Sequence, residues 1–327
     1  MTAATLAGGS PLAGLARRLA SQEAVLLLAL VLLFAIVGAV NPRFLAERNL
    51  ETIFLGNAYV AVAAIGMSMV IVSGNIDVSV GSLIGVLAVL SGSVAVAGWP
   101  IWASWLVPVL AGVAVTGFMG FLVAWLNSPS IVVSLGMLSI LKGGLIMATG
   151  GAWISNLPPG YALAQMEPLG VPMPIWFMVA LTAGAAFWMR YSGLGRAIYA
   201  VGGNPEAARL AGISRRRVVL QTFLLHGCFV GIAAVLFATQ LSVIQSTVPP
   251  NLELTVITAS VVGGVSILGG VGSVVGSTLA AILLAAIGSS LVFLNVSPYW
   301  IRAVQGVLIL ATVLADLWRR RRQAAAR

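Results

Sequence analysis

The stretch YAVGGNPEAARLAGISRRR, residues 199–217, is polar and basic, and it lies between two apolar segments of membrane-spanning length. Its Asn204-Pro205-Glu206 sequence is typical of a helix start, because asparagine caps the first turn, proline has a preset φ, and an acid is favoured near a helix N-terminus. Gly212 predicts the end of that helix about two turns later. We therefore expect a short helix in water between two transmembrane helices. The alternative is a capped connecting loop with no further role.

The composition of the whole chain is that of an integral membrane protein. Hydrophobic residues make up 60% of the 327 residues and charged residues 8%, with a mean hydropathy of +1.07. Soluble domains contain far more charge, about 25%. The apolar runs are continuous and do not alternate with polar residues, which favours helices over a barrel.

Segments of about 20 apolar residues, the length that crosses the hydrocarbon core, recur along the chain. They cover residues 23–40, 50–72, 80–98, 101–126, 130–149, 173–190, 217–240, 252–268, 272–292 and 300–317. The predicted fold is all-α, a polytopic membrane protein with about ten transmembrane helices and a short cytosolic coupling helix. The predicted organisation is an N-terminal tail (1–22), a transmembrane domain (23–318) and a basic C-terminal tail (319–327).

The distribution of basic residues predicts the orientation. Arginines cluster before the first span (Arg17 and Arg18), after the last (319–322), and between positions 190 and 217. Ten spans place both termini on one side, and six spans return the 199–217 loop to that side. The positive-inside rule then places all three clusters in the cytosol. The net charge of +9 is explained by these membrane-flanking arginines, which have no interleaved aromatics, so lipid is an expected partner and nucleic acid is not.

Several kinds of site are absent from the sequence. The only lysine, Lys142, lies between Leu141 and Gly143, so the chain has no phosphate-binding P-loop. Cys228 is the only cysteine and allows no internal disulfide. The chain has no second histidine, and we expect no acid near His226, which argues against a metal site or a catalytic pair. We expect His226 to pack between helices, with a role in a transport pathway as the alternative, and we predict no cofactor or metal.

Four ordered motifs resemble the ribose-type branch of ABC sugar-importer permeases. GNIDVSVGS at 74–82 resembles the branch's GIDLSVGS, SLGMLSILKG at 134–143 resembles TLGMLSILRG, and VGGVSILGGVGS at 262–273 resembles LGGTSLAGGKGS. The fourth motif, Glu206-Ala207-Ala208 followed by Gly212-Ile213, is similar to the EAA coupling loop of ABC permeases. In that family the loop is a cytosolic helix that docks into a cleft of the ATPase subunit.

The resemblance implies a permease subunit of an ATP-driven importer that carries a small, neutral, hydroxylated solute and has no ATPase site of its own. The implied partners are cytosolic ATP-binding subunits, a second permease (identical or paralogous), and a periplasmic or tethered solute-binding protein, in the inner membrane of a bacterium. The residues expected to couple to the ATPase are Asn204, Pro205, Glu206, Ala207, Gly212 and Ile213.

Three stretches, at 75–82, 150–158 and 298–300, look like the autoinducer-2 subgroup of this branch. One departure weakens any transfer of substrate by analogy: Glu253-Leu254-Thr255 stands where the branch often has Glu-Leu-Asp. The other class of function considered is an ion-coupled secondary transporter. That class predicts paired acids or histidines within the spans, whereas the clear ionisable residues there are Asp77, Lys142 and His226.

Asp77 lies between two long apolar runs and is bracketed by Gly74 and Gly81. Because an acid in lipid costs at least about a few kcal/mol, we expect a tight turn or broken helix that faces protein or water. One interpretation is a hinge or pathway-facing turn containing Gly74, Asp77, Ser79 and Gly81. The other is a short interfacial loop in which Asp77 or Ser79 caps the next helix.

Lys142 lies near the middle of the fifth predicted span, where an unpaired ammonium is costly. Asp77 is one candidate partner. The alternative is a watered pathway in which the amine donates hydrogen bonds to the hydroxyls of a passing solute.

A weak internal repeat, Val-Gly-Ser-x-x-Gly, occurs at 80–85 and 271–276, each time at the start of a span. Glycines four residues apart let membrane helices approach closely. We therefore predict that Gly81, Gly85, Gly272 and Gly276 pack against neighbouring segments. Chance similarity in a chain with 37 glycines is the alternative.

The longest segment predicted outside the membrane, residues 150–174, contains Trp153 and Tyr161. It is a candidate lip for a protein that delivers the solute. Anchoring of the two aromatic side chains at the membrane interface is the alternative.

Overall fold

A computed structural model of the protein describes residues 21–297 and 299–325. These residues form twelve α-helices, joined by short loops except for the 150–172 segment, and their only extended pairing is a single bridge between Ile154 and Ile244. In chain order, α1 to α12 are Gln22–Val40, Glu47–Val72, Val80–Val96, Ile101–Trp125, Ser130–Thr149, Met173–Tyr191, Gly193–Gly203, Pro205–Leu210, Arg215–Thr239, Leu252–Val262, Val274–Phe293 and Trp300–Ala325. The prediction of an all-α fold is confirmed. Arg17, Arg18 and most of the predicted 1–22 tail lie outside the described residues.

Each predicted apolar segment contains one helix. Seven of the described helices (α1, α2, α4, α5, α6, α9 and α11) are long and apolar enough to cross a membrane. Helices α3 and α10 and the apolar part of α12, Trp300–Leu314, are shorter. The protein is therefore a polytopic membrane protein.

Two predicted boundaries differ from the structure by more than three residues. The eighth apolar segment predicts a helix over 252–268, but α10 ends at Val262 because Gly264 adopts a φ of +96° and the chain turns away. Helix α12 continues to Ala325, beyond the predicted end of the transmembrane domain at 318. The basic residues from 319 therefore extend this helix.

Helix α2 is the centre of the fold. Every residue from Val60 to Val72 is buried, and the helix packs against α6, α9, α10 and α11. Across its most apolar window 78% of α2 is buried, compared with 11% of α5. Within a single copy of the chain, most of the surface of α5 is therefore uncovered.

Helices α4 and α9 touch through their backbones. A Cβ atom on Gly231 would lie 2.5 Å from the Cα of Val109, and one on Gly227 would overlap the Thr116 hydroxyl. Because small residues allow such approach, this is the glycine-mediated packing expected of membrane helices.

The two ends of α2 define two faces of the molecule. Val72 lies against Gly202 of α7, so α7 and α8 are found at this end, which we call the α8 face. The helix has 26 residues and is about 39 Å long at 1.5 Å per residue. Glu47, its first residue, therefore lies at the opposite face.

Candidate functional site

Helix α8 is closed at both ends by the residues that the sequence indicated. The Asn204 side chain accepts hydrogen bonds from the backbone N–H groups of Glu206 and Ala207, at 3.1 and 3.0 Å. At the other end Gly212 has a φ of +79°, and its N–H donates to the Arg209 carbonyl while that of Ile213 donates to Ala208. This pair of bonds is a Schellman motif, which glycine favours because it tolerates the left-handed conformation. The predicted short helix is confirmed.

Most of α8 faces away from the protein. Only Ala208 is buried, at 4% exposed, whereas Leu210 is 76% exposed. Glu206 and Arg209 form an ion pair on the open side, each 68% exposed, and the guanidinium lowers the pKa of the Glu206 carboxyl. An exposed pair of this kind adds little stability. The surface of α8 is therefore available for contact with another molecule.

Just before α8 in the chain, three segments of backbone meet at glycines. They are the turn after α2, the C-terminal end of α7, and the loop between α10 and α11. We call this contact the glycine junction, and it consists of Gly74, Gly202, Gly203, Gly269 and Gly270.

The glycine junction has no room for a side chain at Gly202, Gly269 or Gly270. The Gly270 N–H donates to the Val72 carbonyl at 2.8 Å, and a Cβ on Gly202 would overlap that same carbonyl. A Cβ on Gly269 would lie 3.0 Å from the Cα of Gly74. Because backbone cannot rotate out of the way as a side chain does, the end of α7 is fixed against both α2 and the α10–α11 loop.

Asp77 is fully buried and connects the α2–α3 turn to α9. One carboxylate oxygen accepts hydrogen bonds from the backbone N–H and the hydroxyl of Ser79, at 2.7 and 2.6 Å. The other lies 3.1 Å from Nε2 of His226, whose side chain is also fully buried. The Nδ1 atom of His226 has no partner among the described residues. A Cβ on Gly66 would lie 2.7 Å from that atom, so the ring is packed against α2.

This geometry corrects two expectations. An acid does lie beside His226, because the fold brings together residues that are 149 positions apart. Asp77 also does not pair with Lys142, which is exposed on α5 while both carboxylate oxygens of Asp77 have other partners. No side chain makes a capping hydrogen bond at the start of α3. Asp77 instead closes a turn on Ser79 and holds α9.

The four glycines of the repeat all lie in close contacts. A Cβ on Gly81 would lie 2.8 Å from the backbone nitrogen of Glu253, and one on Gly85 would lie 3.2 Å from the Cα of Val248. A Cβ on Gly272 would lie 2.7 Å from the Val72 side chain, and one on Gly276 would overlap the carbonyl of Gly263. None of the four faces open space, although the two halves of the repeat pack against different segments.

The segment between α5 and α6 is held down by Tyr161. This side chain is 1% exposed, and its hydroxyl donates to Ser91 of α3 at 2.9 Å; burial raises its pKa to about 12. Trp105 donates from its indole nitrogen to the Tyr161 carbonyl. Membrane-interface anchoring therefore does not apply to Tyr161, while Trp153 remains 60% exposed.

A cavity of about 570 Å³ lies between α2, α10, α11 and α12. It extends from Asn49, in the first turn of α2, to Val60, halfway along that helix, and we call it the Asn57 cavity. Its wall is mainly apolar but contains nine polar side chains: Asn49, Thr52, Asn57, Tyr59, Asn251, Thr255, Ser289, Arg302 and Gln305. No pattern in the sequence indicates it, because the polar residues come from four separate helices and form no motif.

The chain matches the family model described as the permease component of branched-chain amino acid transport systems, over residues 49–313. The chain belongs to this family of transport permeases. It is also similar to the autoinducer 2 import system permease protein LsrC of Salmonella typhi, with 36% identity over 299 residues, which cover 90% of this chain and 86% of the relative. For the protein of that name from Escherichia coli K12, the identity is 34% over 302 residues, covering 90% and 87%. No solved structure matches the chain.

These similarities confirm that the protein is a permease subunit of the ABC importer type, as the four motifs indicated. Together with the seven apolar helices, they identify a multi-pass protein of the inner membrane. A permease of this kind is a transport subunit and not itself an ATPase.

Proposed function

We propose that this permease forms half of a pathway through which an importer moves a small, neutral, hydroxylated solute, driven by ATP hydrolysis on separate subunits. The observation that carries the proposal is α8, a helix closed at both ends whose outer surface is open. In this arrangement α8 docks on an ATP-binding subunit in the cytosol. Both termini then lie on that side, and the opposite face is periplasmic.

Movement of α8 reaches the membrane helices through the glycine junction. Only Asn204 separates α7 from α8, and the end of α7 contacts α2 and the α10–α11 loop through backbone alone. A displacement of the docked helix therefore shifts these segments without first being absorbed by side-chain rotation. The Asp77–His226 contact extends the connection to α9.

The uncovered surface of α5 supports the presence of a second permease, identical or related, on the other side of the pathway. Lys142 is exposed in the middle of this helix, and a charge at that depth is costly against lipid. A Cβ atom added to Gly136, Gly143 or Gly144 on the same helix would have no neighbour within 4 Å among the described residues. A partner permease and water in the shared pathway provide the ammonium with a polar environment.

The class of solute follows from the relatives, which are named as autoinducer 2 import permeases, and from the scarcity of charge in the membrane helices. A solute-binding protein delivers the solute at the periplasmic face. The 150–172 segment fits the role of its docking lip, since Tyr161 holds the segment in place while Trp153 is left exposed.

The experiment is uptake into proteoliposomes that contain the permease, its ATP-binding subunit and its solute-binding protein, with labelled autoinducer 2, D-ribose and L-rhamnose tested in turn. We expect uptake to require ATP on the side of the ATP-binding subunits and to survive ionophores that collapse ion gradients. A secondary transporter would show the reverse. Uptake without ATP that stops when the gradients collapse would contradict the proposal.

A further inference from the structure

We infer that the Asn57 cavity is a binding site within a single permease for a neutral, polyhydroxylated solute. The inference rests on the proposed import function, and it identifies where this chain itself contacts its cargo. The cavity's volume of about 570 Å³ lies within the range of about 300–1,000 Å³ that is usual for small-molecule sites.

The depth of the cavity places a ligand inside the transmembrane domain. Its lining begins at Asn49, close to the start of α2, and ends at Val60, halfway along a helix of 26 residues. The start of α10 also forms part of the wall, where Asn251 and Leu252 line the cavity. Helix α10 has only 11 residues. Helices that begin partway through the membrane are a common element of the binding sites of transporters.

Polar groups in the wall retain hydrogen-bonding capacity. Asn57 donates from Nδ2 to the Ile53 carbonyl, while its Oδ1 atom has no partner among the described residues. Gln305 donates to the Thr255 hydroxyl at 3.4 Å, and its Oε1 is likewise free within the described part of the chain. No side chain caps the first turn of α10. Amide oxygens and backbone N–H groups together can accept from and donate to the hydroxyls of one solute.

The charge of the cavity disfavours a cationic or zwitterionic ligand. Arg302 is the only charged side chain in its described lining, and it lies at the exposed start of α12. The nearest acid on α10, Glu253, contacts Gly81 instead and is not part of the wall. A zwitterionic amino acid would therefore leave its ammonium group without a carboxylate partner, which is costly in a buried site.

The test is protection of cysteines from a membrane-impermeant methanethiosulfonate reagent in the purified permease. Thr255→Cys and Asn57→Cys are made separately on a Cys228→Ser background, so that each protein has one thiol. Ser214→Cys, exposed on the α8 face, is the control. The probes are autoinducer 2, D-ribose, L-rhamnose and leucine, each added to the same protein without ATP-binding subunits.

At a solute concentration of about ten times Kd, we expect labelling at Thr255→Cys or Asn57→Cys to slow about tenfold with at least one of the hydroxylated probes, and labelling at Ser214→Cys to be unchanged. Leucine should give no protection. Failure of both cysteines to react, reaction without protection by any probe, or protection by leucine would each overturn the inference. Protection in a permease that shows no ATP-dependent uptake would instead leave the cavity assigned and contradict the proposed function.

Discussion

The glycine junction and the Asn57 cavity lie toward opposite ends of α2 and are built in opposite ways. At the junction, three backbones contact one another and leave no room for a single Cβ at Gly202. At the cavity, four helices leave about 570 Å³ between their side chains. The same helix is thus held rigidly near α8 and lines an open space at its other end. This difference is what a permease requires if force is applied at one face and solute is received at the other.

The largest expected effect on transport is the loss of all coupling when α8 is altered. Gly212→Val places a β-branched residue at a φ of +79° and should destroy the C-terminal end of α8, while Glu206→Lys reverses the charge on its exposed side. Both should abolish uptake while leaving membrane insertion intact. Gly212→Asn is the matched control, because asparagine tolerates the left-handed conformation. Normal solute-stimulated ATPase activity in Gly212→Val and Glu206→Lys would refute a docking role for α8.

A second prediction compares two neighbouring glycines at the junction. Gly202→Ala should destabilise the permease by about 3 kcal/mol, the upper end for overpacked cores, because its Cβ overlaps the Val72 carbonyl. Gly203→Ala should cost much less, since its Cβ would lie 3.7 Å from Gly270. Thermal unfolding in detergent measures both. Equal stability of the two variants would mean that the junction is not a rigid contact.

A third prediction concerns the link from the junction to α9. Asp77→Asn and His226→Gln should each destabilise the protein, and the double variant should lose about 0.5–3 kcal/mol less than the sum, as expected for residues in contact. Asp77→Asn combined with Lys142→Met should be additive, because these two side chains have different surroundings. Additivity in the first cycle, or coupling in the second, would contradict this arrangement of Asp77, His226 and Lys142.

The smallest expected effect is on thermal stability, and it compares one glycine of the repeat at each end of the molecule. Gly276→Leu meets the backbone of Gly263, close to the α8 face, whereas Gly85→Leu meets Val248 and Pro249 beside the cavity at 3.2 to 3.4 Å. Both should reduce thermal stability, by about 1–3 kcal/mol, with the larger loss for Gly276→Leu. Unchanged stability in both variants would mean that the repeat is accidental, and a larger loss for Gly85→Leu would reverse the comparison.

Sequence patterns predicted the features of this protein that depend only on residues close together in the chain. Apolar length located the helices, and Asn204 with Gly212 located α8, because caps act within a few residues of the chain. The end of α10 at Val262 was missed, since residues 252–268 are mostly apolar and only the conformation of Gly264 breaks the helix. Asp77 was singled out as a costly acid, but its partner His226 lies 149 positions away. The Asn57 cavity could not be foreseen, because its wall is built from four helices that are distant in sequence.

The most direct test of the central claim, that α8 controls the cavity through the glycine junction, uses the assembled importer. The labelling rate of Thr255→Cys, on the Cys228→Ser background, is measured with and without a non-hydrolysable ATP analogue, and again with Gly212→Val added. We predict that the nucleotide changes the rate in the first protein and has no effect in the second. A labelling rate that the nucleotide does not change, or a nucleotide-dependent change in rate that persists in Gly212→Val, would contradict the claim.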